Sequence, residues 1–426
     1  MLSYLLRPFE RFFHTDVKYL AEGSFWLTTG RVVSAGISFI LSLLYARYLI
    51  PEAYGAYRYV LSMIGAFGIF ALPGVGTVMI RSVARGYDGS YRKGAFLIFF
   101  SSFGISIAAW CAAAWFFIRG DNALALAFIA GGFFVPFAEG LGHWRAYFEG
   151  KKLFREKTFY NIVASFFYGI IMASAIGFIA YMEMSFLWAA AILVGSYFLG
   201  QAIPNSIAFV STLRRLPSIQ PEERGSLQYG FHLSLLKIPS TLANYLDGIF
   251  LYMFLGPAAL AVYSFAIALP EQIKSIFAVT ASVAFPKLSL KSMTGEERLQ
   301  LHETLPGKIL RSILVTGVVV VAYIVVAPFL YRIFFPAYID SIVFSQVFAL
   351  SLILFPLAIF GSAIQAEGNL RDVYLYEIST PLFQIVLLAI LITLFGIWGA
   401  VIGRVVGRLA GHMIAMFLYM RRRAAV

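Results

Sequence analysis

The side chains with chemistry to offer are ionisable groups set inside long apolar stretches. Arg31, Arg58, Glu139, Lys237, Asp247, Glu271, Lys274, Arg404 and Arg408 all lie in runs whose composition suits hydrocarbon. A charge placed there costs at least about 2.5–3.5 kcal/mol, so it is paired, faces water or serves a function. The six cations outnumber the three acids, which makes the interior net basic. Guanidinium and ammonium groups in a low dielectric suit a phosphate or a diphosphate.

Spacing sorts these groups into faces. Arg31 lies about two turns into the first apolar run, and Ser34, Ser38 and Ser42 follow it as one polar stripe. Arg58 has Ser62 four residues on, and it either faces an interior cavity or snorkels to headgroups. Lys237, Ser240, Thr241, Asn244 and Asp247 share one broad face of the most polar run, with Pro239 placed to kink it and free carbonyls. Two roles are open to Asp247: a proton or sodium site that couples transport, or the partner of a buried arginine. Lys237, Asn244 and Glu271 are the other candidates for ion coupling or charge pairing. Glu271 and Lys274, three apart, can pair with each other; if Glu271 pairs elsewhere, Lys274 is a free cation.

Near the C-terminus, Gly399, Gly403, Gly407 and Gly411 make a ribbon that admits a close neighbour. Arg404, Arg408 and His412 run alongside it, either neutralising acids such as Asp247 or lining an aqueous vestibule. Glu139 and His143, four apart, read as a structural pair.

The elements that carry these residues follow from composition. Of 426 residues, 60% are hydrophobic and only 13% charged, against roughly 25% charged in a soluble domain, so the chain belongs in a bilayer. A span needs about 20 apolar residues. Twelve are expected, near 24–47, 54–80, 94–118, 122–147, 158–181 and 185–212 in the first half. The second half supplies 227–254, 257–285, 309–335, 341–366, 373–395 and 397–420. The net charge of +12 sits mostly in loops on one side, among them Arg81, Arg85, Arg92 and Lys93, then Lys151 and Lys152, then Arg214 and Arg215. That asymmetry places both termini in the cytoplasm and explains the basic excess without nucleic acid.

The expected organisation is an amphipathic segment at 1–22, a first lobe at 23–212, a cytoplasmic linker at 213–226, a second lobe at 227–420 and a basic tail at 421–426. The fold class is an all-α integral membrane protein of twelve helices, in two pseudo-symmetric six-helix lobes around a central cavity. Cys111 reads as a small buried packing residue, and one cysteine allows no internal disulfide. No phosphate-binding glycine loop or zinc helix motif occurs, and no outer loop is long enough for a catalytic domain, so neither a cofactor nor enzyme activity is expected.

The two halves echo each other at an offset of 206. The hinge Tyr48-Leu-Ile-Pro51-Glu-Ala-Tyr54-Gly55-Ala-Tyr57-Arg58 returns as Phe254-Leu-Gly-Pro257-Ala-Ala-Leu260-Ala261-Val-Tyr263. Arg81 and Arg85 fall on Lys287 and Lys291, and Glu149-Gly150 is echoed by Glu367-Gly368. Duplication of this kind is the usual construction of secondary transporters.

In the pattern Leu49-x-Pro51-x-x-Tyr54-Gly55-x-Tyr57, the Leu72-Pro73-Gly74 break and the Arg81/Arg85 pair, the chain resembles the polysaccharide-export flippases of the multidrug/oligosaccharidyl-lipid/polysaccharide exporter superfamily. The resemblance covers essentially the whole chain. It implies movement of undecaprenyl-pyrophosphate-linked oligosaccharide from the cytoplasmic to the outer leaflet of the plasma membrane by alternating access. Arg31, Arg58, Lys274, Arg404 and Arg408 would then hold the pyrophosphate, with Na+ or H+ for coupling. Membrane lipids and other polysaccharide-assembly membrane proteins would be the partners. Lipid II flippases of the superfamily carry basic residues in the first, second and eighth spans, where Arg31, Arg58 and Lys274 lie here. They also have two further spans that this chain has no room for, which disfavours lipid II as substrate. A cation-coupled multidrug antiporter is the alternative; it calls for a cavity dominated by acids.

Overall fold

Helix follows helix in the order of the apolar runs, and the breaks within spans fall where polar groups are needed. The computed structural model describes residues 17–217, 221–284, 295–367 and 370–423. The segment 1–16, the loop with Lys287 and Lys291, and Gly368 of the second Glu-Gly echo lie outside the described residues.

Helix α1 (Val17–Tyr48) ends at the first hinge. Ile50 is extended (φ −69°, ψ 144°) and Pro51 opens α2 (Pro51–Ala66), a position where a missing N–H costs nothing. A 3-10 turn follows at Phe67–Ala71. Leu72 then takes left-handed angles (φ 53°, ψ 62°), and α3 (Pro73–Ala84) departs at 54° to the first half. The Leu72-Pro73-Gly74 break is therefore real, and a non-glycine residue holds its strained corner.

Helices α4 (Asp88–Ile118) and α5 (Asn122–Val135) continue into a π turn at Pro136–Gly140, a 3-10 turn at Leu141–His143 and α6 (Trp144–Gly150). Helices α7 (Phe154–Tyr181) and α8 (Phe186–Arg214) close the first half. The seventh predicted span is three pieces, α9 (Ser226–Leu236), α10 (Ile238–Ala243) and α11 (Leu246–Leu255). Beyond them come α12 (Pro257–Ala284), α13 (Gly295–Phe334), α14 (Ser341–Leu350), α15 (Ala358–Glu367), α16 (Leu370–Phe395) and α17 (Ile397–Arg423).

Among the described residues, eight helices are long and apolar enough to cross a membrane. Two bent pairs, Pro51–Ala71 with Pro73–Ala84 and Ser341–Leu350 with Phe355–Gly361, raise that to ten. The other two predicted spans are helical but atypical. The seventh is cut twice, and the eighth, α12, holds Pro270, Glu271, Gln272 and Lys274 in its middle.

At the centre the two hinges pack on each other. Helix α2 lies against α12; α1 flanks α12 as α11 flanks α2, the arrangement a two-fold relation between the halves requires. Gly55 makes the closest approach: a Cβ there would lie 1.9 Å from the Pro257 carbonyl oxygen. Tyrosines fill the surroundings, with Tyr45, Tyr54 and Tyr57 buried together and Tyr54 against Phe265 at 5.0 Å between ring centroids. Hydroxyls tie α12 to its other neighbours, Tyr331 donating to the Phe265 carbonyl and Ser341 to that of Val262, both at 2.8 Å.

The glycine ribbon works as its spacing predicts. Gly399, Gly403, Gly407 and Gly411 all face α16, meeting Leu391, Leu388, Gln384 and Thr380 in turn. Two expectations change. Cys111 is exposed on α4 rather than buried. The serine stripe of α1 serves helix packing: Ser34 bonds Ser165 of α7 at 2.8 Å, and Ser42 donates to its own helix at Phe39. Arg31, on the same helix, is exposed.

Candidate functional site

The intramembrane charges meet where α11, α12 and α17 come together. Helix α17 presents Arg404 and Arg408 one turn apart, about 6 Å along the axis. Each meets an acid from a different helix.

Arg404 Nε donates to Asp247 Oδ2 at 2.8 Å, and the Tyr263 hydroxyl donates to the same oxygen at 2.5 Å. Arg404 Nη2 reaches the Asn244 carbonyl at 2.6 Å. The break between α10 and α11 leaves that carbonyl without a helical partner, so the interrupted span supplies an acceptor, though at a second break rather than at Pro239, which opens α10. The pair is nearly dry, with side chains 13% and 5% exposed. Of the two roles open to Asp247, the structure shows the charge partner. Arg404, read from sequence as an anion ligand, has Nε and Nη2 engaged. A buried pair broken on one side is strongly unfavourable, which makes this a clamp between α11 and α17.

The neighbouring acid is shared. Arg408 Nη2 donates to Glu271 Oε1, and Lys274 Nζ donates to Glu271 Oε2 at 3.0 Å. Arg408 Nη1 also reaches Ser351 Oγ at 3.0 Å, and its guanidinium lies 4.7 Å from the Phe348 ring centroid. Glu271 and Lys274 are each about a third exposed, 34% and 33%, so this group is open where the Asp247 pair is closed. Three cations share two carboxylates across the two groups, leaving one positive charge.

Arg58 approaches the same helix from the other half. Its Nε donates to Ser264 Oγ at 3.3 Å, two turns of α12 before Glu271. Among the described residues it forms no ion pair, and its electrostatic neighbours are Tyr54, Tyr57, Tyr197 and Tyr45. Arg31 likewise forms no ion pair among the described residues.

Lys237 stands apart from the central group, its Nζ on Thr77 Oγ1 at 2.9 Å. It joins the broken span to α3 beside another close crossing, where Gly74 N donates to Ser234 Oγ at 2.9 Å. The Glu139–His143 pairing differs from its expected form. His143 Nδ1 contacts the Glu139 main-chain carbonyl at 3.2 Å, and the Glu139 carboxylate is exposed. The π turn and the 3-10 turn between them rotate the side chains off the i, i+4 register.

Sequence reasoning missed two clusters. Arg145 donates to Asn161 Oδ1 at 2.9 Å and to buried Asn205, whose Oδ1 also accepts from Trp144 Nε1 at 3.1 Å. An asparagine in the apolar run of α8 was the available signal. The second lies at the linker. Glu223 accepts from Arg85 at 2.8 Å and from Ser82 at 2.6 Å, with Arg81 at 3.7 Å, while Lys93 pairs with Glu222 at 2.6 Å. The basic residues read only as orientation signals therefore also hold the linker down.

With this geometry in hand, likeness to known proteins can be judged. The sequence pattern of the polysaccharide biosynthesis protein family matches residues 20–290. The chain belongs to that family. No curated protein matches it.

Solved structures share the fold of this polysaccharide biosynthesis protein. An inward-facing multidrug resistance MATE family transporter of the MOP superfamily superposes with a TM-score of 0.67 at 15% identity, over 93% of this chain and 95% of the other. A MATE in complex with MaD5 gives 0.64 at 16%, over 96% and 99%. A MOP superfamily transporter from Pyrococcus furiosus Vc1 (DSM3638), described as having a binding pocket of reverse polarity, gives 0.62 at 14%, over 96% and 98%. At these identities the likeness shows the fold alone, an all-α, multi-pass membrane architecture.

Proposed function

We propose that this protein is a flippase that moves undecaprenyl-diphosphate-linked oligosaccharide from the cytoplasmic to the outer leaflet of the plasma membrane, for surface polysaccharide synthesis. The observation that carries the reading is the charge balance on α12. Lys274 and Arg408 share a single acid, and Arg58 faces the same helix with no carboxylate of its own among the described residues. An anionic head arriving here meets unspent positive charge in a low dielectric, while a cation meets Asp247 and Glu271 already engaged.

In this reading Arg58, Lys274 and Arg408 hold the diphosphate, and exposed Arg31 meets it on the way in. Arg404 stays in its clamp, and the prenyl tail remains in lipid between two six-helix lobes. The lobes, residues 23–212 and 227–420, rock about the paired hinges, and both termini are cytoplasmic. The chain needs no catalytic step of its own, and other polysaccharide-assembly membrane proteins supply and consume the substrate.

The exposed Glu139 carboxylate favours the alternative, a cation-coupled multidrug antiporter. Proteoliposomes separate the two. Movement of a fluorescent prenyl-diphosphate-linked sugar between leaflets, lost in Arg58→Ala and Lys274→Ala, supports the flippase. Gradient-driven movement of a lipophilic cation, lost in Glu139→Gln, supports the antiporter.

A further inference from the structure

Glu271 is bound in an unusual way for a carboxylate inside a span. Each of its oxygens is taken by a different cation, Oε1 by Arg408 of α17 and Oε2 by Lys274 of its own helix. Arg408 is also fixed without Glu271, by Ser351 and by the Phe348 ring. Removing the carboxylate therefore leaves two aimed donors in place, one of them anchored. Two oxygens of one phosphate group present the same bridging pattern to such a pair.

We propose that Glu271 is an internal stand-in for the substrate's diphosphate, occupying its seat while the cleft is empty and giving way when the substrate arrives. The proposal rests on the diphosphate reading above and adds to it the residue that sets which anions are admitted.

The physical logic has two parts. Two unpaired cations inside a bilayer are costly, so a resident carboxylate stabilises the empty state. An incoming anion must then outcompete it. A head with a single negative charge, such as a common anionic lipid carries, only exchanges one carboxylate-like charge for another. A diphosphate brings two or more charges and more acceptor oxygens, so it gains where the monoanion does not. The seat thereby selects for charge number against a surrounding excess of monoanionic lipid. Accessibility agrees with exchange: Glu271 is a third exposed, whereas Asp247, in its clamp, is 5% exposed.

Calorimetric titration of the purified protein with inorganic pyrophosphate tests this without any transport measurement. Glu271→Gln keeps the side-chain shape and removes the competing charge; it is expected to bind pyrophosphate about tenfold or more tightly than wild type. Its preference for pyrophosphate over inorganic phosphate is expected to narrow. Glu183→Gln removes the same charge at the exposed turn between α7 and α8 and is expected to stay within about twofold of wild type. If Glu271→Gln aggregates, Glu271→Asp serves instead, because the shorter carboxylate cannot span both cations and should also tighten binding.

Unchanged or weaker binding in the Glu271 variants overturns the proposal. If Arg408→Ala loses binding while the Glu271 variants gain none, the diphosphate reading stands without its stand-in. Wild-type binding in Arg408→Ala, or no binding in any variant, removes both.

Discussion

Arg58 and Ser264 are bonded across the centre of the protein at 3.3 Å, and they are 206 residues apart, the offset at which the two hinges repeat. The same position in each copy thus meets its counterpart. One copy supplies a cation and the other a hydroxyl, so the duplication has been kept in the backbone and broken in charge. That asymmetry sets Arg58 opposite a hydroxyl rather than a second cation, on the helix that carries Glu271 and Lys274 two turns further on.

The hinge contact should be intolerant of volume. Gly55→Ala places a methyl 1.9 Å from the Pro257 oxygen, closer than the backbones can accommodate without moving apart. Overpacking of this kind costs about 1–3 kcal/mol. Thermal unfolding in detergent should shift downward for Gly55→Ala, whereas Gly36→Ala, where nothing lies within 4 Å of the added carbon, should melt close to wild type.

The Asp247–Arg404 pair should behave as a structural unit. Asp247→Asn leaves a buried guanidinium uncompensated, at a cost of about 3–5 kcal/mol. The double variant Asp247→Asn with Arg404→Gln should recover much of that loss in a double-mutant cycle. Additive losses would mean that the two side chains do not depend on each other.

The linker latch carries a pH dependence of definite sign. The Ser82 hydroxyl and the Arg85 and Arg81 guanidiniums hold the Glu223 carboxyl below the usual range, against a smaller opposing effect of burial. A depressed acid contributes stability that is fully present above its unfolded value, about 4.3, and is lost as pH falls through the lower folded value. The latch should therefore stay closed throughout neutral pH and loosen as pH falls below the unfolded value. Glu223→Gln should loosen it at neutral pH, seen as faster hydrogen exchange at Gly89 and Ser226, whose amides bond Pro221 and Glu223. Equal exchange in both proteins would show that the ion pairs do not hold the linker.

Much of this was legible in the sequence because it is local. The apolar runs, the Leu72-Pro73-Gly74 corner, the glycine ribbon of α17 and the Glu271–Lys274 pair are patterns within one helix or one turn. The decisive pairings are not. Arg404 meets Asp247 across 157 residues and Arg408 meets Glu271 across 137, and no periodicity along one helix says which facing helix supplies the acid. Glu139 and His143 misled for the opposite reason. Their spacing is α-helical, but the segment between them winds first as a π turn and then as a 3-10 turn. Exposure was the other missing quantity. It leaves the two arginines alike, at 13% and 15%, and separates their acids, Asp247 closed at 5% and Glu271 open at 34%, two arrangements that read alike in the sequence.

The central claim is that a diphosphate sits among Arg58, Lys274 and Arg408, and a structure of the protein with a bound prenyl-diphosphate sugar tests it most directly. The account predicts phosphate oxygens on Lys274 and Arg408, Glu271 turned away, and the Asp247–Arg404 contact unchanged. Phosphate density elsewhere, with Glu271 still holding both cations, would contradict it.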